Sequence, residues 1–130
     1  MFLADDFGQP NGLCLSTDES RLFVNDTERG HIRVFDVKAD GTLANGRIWA
    51  ELTGAGGGAP DGMKIDSGEN LYCTGPGGIH VFDRSAECLG VINVPEGAAN
   101  FTWGAADLCS LLITATSSLY RARVKVPGRS

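Results

Sequence analysis

Long apolar runs are missing from this 130-residue chain. None approaches the roughly 20 residues that a membrane-crossing helix needs. The opening Met1-Phe2-Leu3-Ala4-Asp5-Asp6 also lacks the basic-then-apolar order of a secretory leader. Both absences lead us to expect a soluble, cytoplasmic protein with no membrane partner. Basic residues are in the minority, 11 Lys and Arg against 16 Asp and Glu, for a net charge of −5. That balance disfavours nonspecific attraction to phosphate backbones or anionic lipid, so no nucleic-acid partner is expected. The four cysteines, Cys14, Cys73, Cys88 and Cys109, form no CxxC pair and no cluster with histidine of the kind zinc sites use. They read as free thiols acting as small core hydrophobes. The two histidines, His31 and His80, fall in probable strands and read as ordinary sheet positions rather than ligands.

Helical periodicity is also scarce. Short β-branched and aromatic runs alternate with turn residues from end to end, which predicts an all-β chain. The expected strands are Gly12–Ser16, Arg21–Asp26, Ile32–Val37, Arg47–Leu52, Gly62–Asp66, Asn70–Gly75, Ile79–Arg84, Cys88–Pro95, Phe101–Gly104, Ser110–Thr116 and Ser118–Lys125. Turn-forming residues such as Glu28-Arg29-Gly30, Ala39-Asp40-Gly41 and Gly75-Pro76-Gly77-Gly78 separate them. The run Gly54–Gly58 reads as a flexible connection. A phosphate-cradling loop would need a following helix with Lys-Ser or Lys-Thr, and neither is present.

An internal repeat organises these strands. Pro10-Asn11-Gly12-Leu13, Arg21-Leu22-Phe23-Val24 and Ile32-Arg33-Val34-Phe35-Asp36 are echoed by Pro60-Asp61-Gly62-Met63, Asn70-Leu71-Tyr72-Cys73 and Ile79-His80-Val81-Phe82-Asp83. A looser third copy runs through Asn100-Phe101-Thr102-Trp103, Leu111-Leu112-Ile113-Thr114 and Leu119-Tyr120-Arg121-Ala122. Repeats of roughly 40 to 50 residues with four short strands each mark β-propeller blades, because one blade cannot bury both of its faces alone. The expected fold is a partial β-propeller domain over residues 1–130, with about three four-stranded antiparallel blades at about 10–52, 60–95 and 100–126. Phe2–Asp5 is left over as a strand to pair with a neighbouring or partner blade. Leu13, Leu22, Val24, Val34, Phe35, Met63, Ile65, Leu71, Val81, Phe82, Trp103, Leu112 and Ile113 are the expected blade-packing residues.

In a propeller the innermost strand of each blade starts beside the central channel, so matching residues of successive blades converge there. Asn11, Asp61 and Asn100 hold that matching place, each just before its repeat's first expected strand. Converging carboxylate and amide oxygens suit a hard divalent cation such as Ca²⁺ or Mg²⁺, and Zn²⁺ or Mn²⁺ also accept them. Pro-Asn-Gly and Pro-Asp-Gly are equally ordinary turn sequences, and spacing alone leaves both readings open.

A resemblance sharpens the reading. Pro10-Asn11-Gly12-Leu13 with Ser16-Thr17-Asp18-Glu19 and Leu22-Phe23-Val24-Asn25-Asp26 resembles a hallmark of the gluconolactonase, regucalcin (senescence marker protein) and luciferin-regenerating enzyme family. Ala59-Pro60-Asp61-Gly62-Met63 with Ile65-Asp66, Gly68, Asn70 and Leu71-Tyr72 resembles another, and the close through Val126-Pro127-Gly128 is similar to bacterial members. The resemblance implies half of a six-bladed propeller carrying one divalent cation, Ca²⁺ first and Zn²⁺, Mg²⁺ or Mn²⁺ after it. The implied activity is hydrolysis of sugar lactones or related cyclic esters. Asn11 and Asp61 match two of the family's metal ligands, and Asp61 also matches its candidate base for activating water. The family's glutamate ligand, and the arginine and asparagine that meet substrate, have no counterpart in this chain. Two functional expectations follow. One is a lactonase assembled as a homodimer, two chains exchanging strands to close a six-bladed ring. The other is a catalytically incomplete propeller fragment that serves as a binding or interaction module.

Overall fold

Runs such as Leu22-Phe23-Val24 and Ile32-Arg33-Val34-Phe35 favour pleated, half-buried backbone, and in the computed structural model, which describes residues 1–129, they pair as neighbouring antiparallel strands. Strands β1 (Pro10–Leu15), β2 (Arg21–Asp26), β3 (His31–Val37) and β4 (Leu43–Glu51) form a first sheet in sequence order. A second sheet follows from β5 (Met63–Ile65), β6 (Leu71–Gly75), β7 (Gly78–Phe82) and β8 (Cys88–Asn93). A third has β9 (Ala98–Gly104), β10 (Ser110–Ala115) and β11 (Leu119–Arg123). These are three up-and-down blades, the last one strand short.

Every expected strand within 12–125 has a counterpart, and the shifts are at the ends. β4 starts at Leu43 rather than Arg47, carried through Asn45 in the left-handed region (φ 55°) with broken register against β3. Among the described residues Phe2–Asp5 forms no strand and joins none of the three sheets. The first repeats match down to the backbone of their first turns, where Glu19 (φ 60°) and Glu69 (φ 66°) both take the left-handed conformation.

The blades stack through two cores. Phe23, Ile32 and Val34 of the first meet Met63, Ile65, Leu71, Cys73 and Phe82 of the second. Trp49 packs edge-on against both Phe23 and Phe82, at 5.0 and 5.8 Å between ring centroids. Tyr72 and Ile79 then meet Phe101, Trp103, Leu111 and Ile113 of the third blade. Strand β6 serves both cores because neighbouring side chains point to opposite faces: Leu71 and Cys73 go one way, Tyr72 the other.

The outer faces of the end blades correct two expected core positions. Leu13 is 61% exposed and Leu112 37% exposed, because the faces that carry them have no blade against them in this chain. Leu22 and Val81 are only partly buried. Val24 and Phe35 stay buried on the open side of the first blade, where the segment before β1 crosses over it. Phe7 packs on Phe35 at 5.9 Å, and Arg33 lies over both rings while pairing with Asp6 at 2.8 Å. The four thiols are unpaired, but only Cys73 is a core residue; Cys14 and Cys109 are half-buried and Cys88 is exposed at the start of an edge strand.

Candidate functional site

Antiparallel order puts the starts of β1, β5 and β9 at one end of the blade stack, and the three candidate residues lie there. Asn11 is the second residue of β1 and Asn100 the third of β9, while Asp61 precedes β5. The first two thus sit inside strands, not before them, because Pro10 already pairs with Asp26 and Ala98 with Ala115.

Two glycines let these strand starts touch. A side-chain carbon added to Gly12 would run into the carbonyl oxygen of Asp61 and lie 2.8 Å from Asn25 Nδ2. One added to Gly62 would lie 2.6 Å from Asn100 Oδ1 and 2.8 Å from Asn100 Cα. The Gly62 N–H also donates to the Ala99 carbonyl at 2.9 Å. Backbone therefore approaches backbone from blade to blade, first to second and second to third, as only glycine allows.

Hydrogen bonds lock the first of these junctions. Asn25, fully buried at 0% exposure, accepts from Gly12 N–H through Oδ1 at 2.9 Å and donates from Nδ2 to the Asp61 carbonyl at 2.9 Å. Thr27 forms a second bridge: its hydroxyl donates to the Pro60 carbonyl at 2.6 Å and accepts from Asn11 Nδ2 at 3.2 Å. The Asn11 amide nitrogen is thereby committed, which leaves its carbonyl oxygen as the end free for a ligand. Asn100 Oδ1 instead accepts the N–H of Phe101 at 2.9 Å.

Asp26 lies at the same end but is not a candidate ligand. Its carboxylate is buried and accepts N–H bonds from Gly8, Gln9, Glu28 and Arg29 between 2.7 and 3.1 Å. Burial pushes its pKa up, yet those N–H groups and the Arg29 charge outweigh burial and hold it at about 2. Among the described residues no such N–H bond reaches the carboxylate of Asp61; the junction grips its main chain.

A divalent cation can be tested against this donor set. The carboxylate of Asp61 and the amide oxygen of Asn11 are donors of the kind a hard cation takes, and two of them are fewer than the roughly six to eight oxygens that Ca²⁺ uses. No group of three or more His, Cys, Asp and Glu that could hold a metal ion converges among the described residues. A cavity of about 480 Å³ lies at the other end of the inner strands, between Leu13, Leu15, Met63, Ile65, Trp103 and Arg129. It is apart from Asn11 and Asp61. A hollow of about 320 Å³ runs along the open face of the third blade beside Asn100, Phe101, Leu112 and Leu119.

Asn25 and Thr27 are the site residues that the motif reading passes over. For Asn25 the signal lies in the repeat, since it follows Val24 where Thr74 follows Cys73 in the second copy.

Comparison with known proteins fits this geometry. The model of the SMP-30/Gluconolactonase/LRE-like region matches residues 2–117. A gluconolactonase of Zymomonas mobilis is 37% identical over 129 residues, covering 92% of this chain and 36% of that protein. The structure of a gluconolactonase from Xanthomonas campestris superposes with a TM-score of 0.83 at 34% identity, covering 98% of this chain and 40% of that one. A luciferin-regenerating enzyme shares the fold at 20% identity, with a TM-score of 0.86 over 100% of this chain and 50% of that one. The chain thus spans between about a third and a half of the length of these relatives, and its three blades are half of a six-bladed propeller.

Proposed function

Since the chain belongs to the SMP-30/gluconolactonase/LRE-like family, we propose that it carries part of the active site of a lactonase-like hydrolase acting on sugar lactones or related cyclic esters. The observation that carries this reading is the junction at the inner-strand starts, where Thr27 and Asn25 tie the Asn11 strand to the main chain of Pro60 and Asp61.

In this reading Asn11 and Asp61 hold a divalent cation through oxygen donors, with Ca²⁺ the first choice and Zn²⁺, Mg²⁺ or Mn²⁺ the others. Such an ion, when bound, polarises the lactone carbonyl and stabilises charge developing on its oxygen. Asp61 takes the proton from a water whose oxygen adds to the carbonyl carbon. The ring C–O bond then breaks, and the proton returns to the departing ring oxygen to leave an open-chain hydroxy acid. Holding a cation and taking a proton compete at one carboxylate, because bound charge weakens the base. Asp61 therefore does both only if one of its oxygens stays free.

Three blades supply half the ring, and the site needs the rest. A second copy completes it if its Phe2–Asp5 segment pairs with the open edge of β11 and the two open faces meet, bringing Asn11 and Asp61 to the axis twice. Leu13, Ile48 and Leu119, exposed at 61%, 57% and 71%, are apolar groups such a closure would cover. The same exposure supports a second reading, in which the blades serve as a binding module without turnover.

Hydrolysis of a sugar lactone by the purified chain, followed with and without chelator and with solution mass recorded on the same sample, separates the two. Chelator-sensitive turnover by a discrete dimer supports the lactonase. A folded sample of any mass without turnover leaves the binding module.

A further inference from the structure

We propose that Asn25 is a positioning residue of the candidate site, setting where Asp61 stands relative to the Asn11 strand. The inference rests on the reading of Asn11 and Asp61 as cation ligands.

The three repeats provide an internal comparison. The residue near the end of each blade's second strand is Asn25, Thr74 or Thr114, and each side chain bonds main chain at or near an inner-strand start. Thr74 Oγ1 donates to the Ala59 carbonyl at 2.9 Å, and Thr114 Oγ1 to the Asn100 carbonyl at 3.2 Å, both within their own blades. Asn25 alone of the three reaches across, taking Gly12 N–H in its own blade and the Asp61 carbonyl in the next.

An amide suits that dual role at this position, where donor and acceptor must reach different strands. A threonine hydroxyl has one proton to give and is shorter, whereas the Asn side chain presents an acceptor and a donor on separate atoms. Asn25 Nδ2 also lies 3.4 Å from Cys73 Sγ, so the amide is enclosed by the second blade as well. Its full burial makes each bond costly to lose, because no water replaces it. An outer contact that orients a ligand in this way changes affinity about ten- to a hundredfold when removed.

The test is Ca²⁺ titration of the 130-residue chain by calorimetry, with thermal melting on each sample. Asn25→Thr copies the choice made in the second and third blades, and Asn25→Ala removes both bonds. Asn70→Ala serves as control: it deletes another structural amide, one that bonds Asp66 at 3.1 Å at the opposite end of the blades. Asp61→Ala tests the underlying reading. We expect both Asn25 variants to bind Ca²⁺ at least tenfold more weakly and Asp61→Ala to lose binding. The Asn70→Ala affinity should stay unchanged even where its melting falls as far. If Asn25→Ala does not fold, Asn25→Thr decides alone. Asn25→Thr at full affinity, with Asp61→Ala inactive in binding, overturns the positioning role and leaves the ligand reading standing. Asp61→Ala at full affinity, or no Ca²⁺ binding by the unaltered chain, overturns the ligand reading and the positioning role with it.

Discussion

Asn25 Nδ2 donates to the Asp61 carbonyl oxygen across the first blade junction, at the point where Gly12 leaves no room for a side chain. The bond grips the main chain of Asp61 and leaves its carboxylate out of the folding interaction. The position of Asp61 and the chemistry proposed for it therefore fall to different atoms of one residue, so each can be perturbed separately.

Gly12→Ala perturbs position. Its methyl group would meet backbone of the next blade, which cannot swing aside as a flexible side chain does. We expect a loss of about 3 kcal/mol or more of stability, at the upper end of overpacking costs. Gly57→Ala is the control, since nothing lies within 4 Å of an added carbon there. It should shift stability by no more than about 0.5 kcal/mol. Urea midpoints for both variants check this.

Acid should loosen the strap over the first blade. The pKa of Asp26 is lowered from 3.8 to about 2, so its ionised form favours the folded chain. That contribution is complete above about pH 4, fades as pH falls toward 2, and is on the order of 2 kcal/mol. The stability gap between the unaltered chain and Asp26→Asn, read from urea midpoints, should therefore be wide at pH 7 and narrow at pH 2.5. A gap that does not change with pH contradicts the assignment.

Thiol labelling reads the blade stack directly. Burial pushes the Cys73 and Cys14 thiols up to about 12, suppressing the reactive thiolate, whereas Cys88 is exposed on an edge strand. Brief alkylation of the native chain at pH 8, followed by mass mapping, should mark Cys88 first and Cys73 only after denaturant. Early labelling of Cys73 would mean that the first core does not close.

The blades were legible in the sequence because a period-2 pattern within strands and a longer repeat between them are both local signals. Leu22-Phe23-Val24 and its echo Leu71-Tyr72-Cys73 place β2 and β6 without any knowledge of their neighbours. Which face each residue serves was not legible. Leu13 and Leu112 carry the same pattern as buried residues, and their exposure follows from what stands next to the end blades. Phe2–Asp5 reads as a strand because the blade count leaves it over, but pairing is a property of the edge it finds. The repeat places Asn11 and Asp61 at matching positions and the resemblance marks them as candidate ligands, whereas the role proposed for Asn25 depends on the distance between blades, which no single repeat encodes.

The account turns on Asp61, and the most direct measurement is sugar-lactone hydrolysis by the chain beside its Asp61→Ala form, both confirmed as folded. Because the junction holds main chain, the substitution should cost no more than about 1 kcal/mol of stability. We predict chelator-sensitive turnover by the unaltered chain and a loss of at least about a hundredfold in the variant, in the range expected for a general base. Equal turnover by the two, or none by the folded chain, would contradict the account.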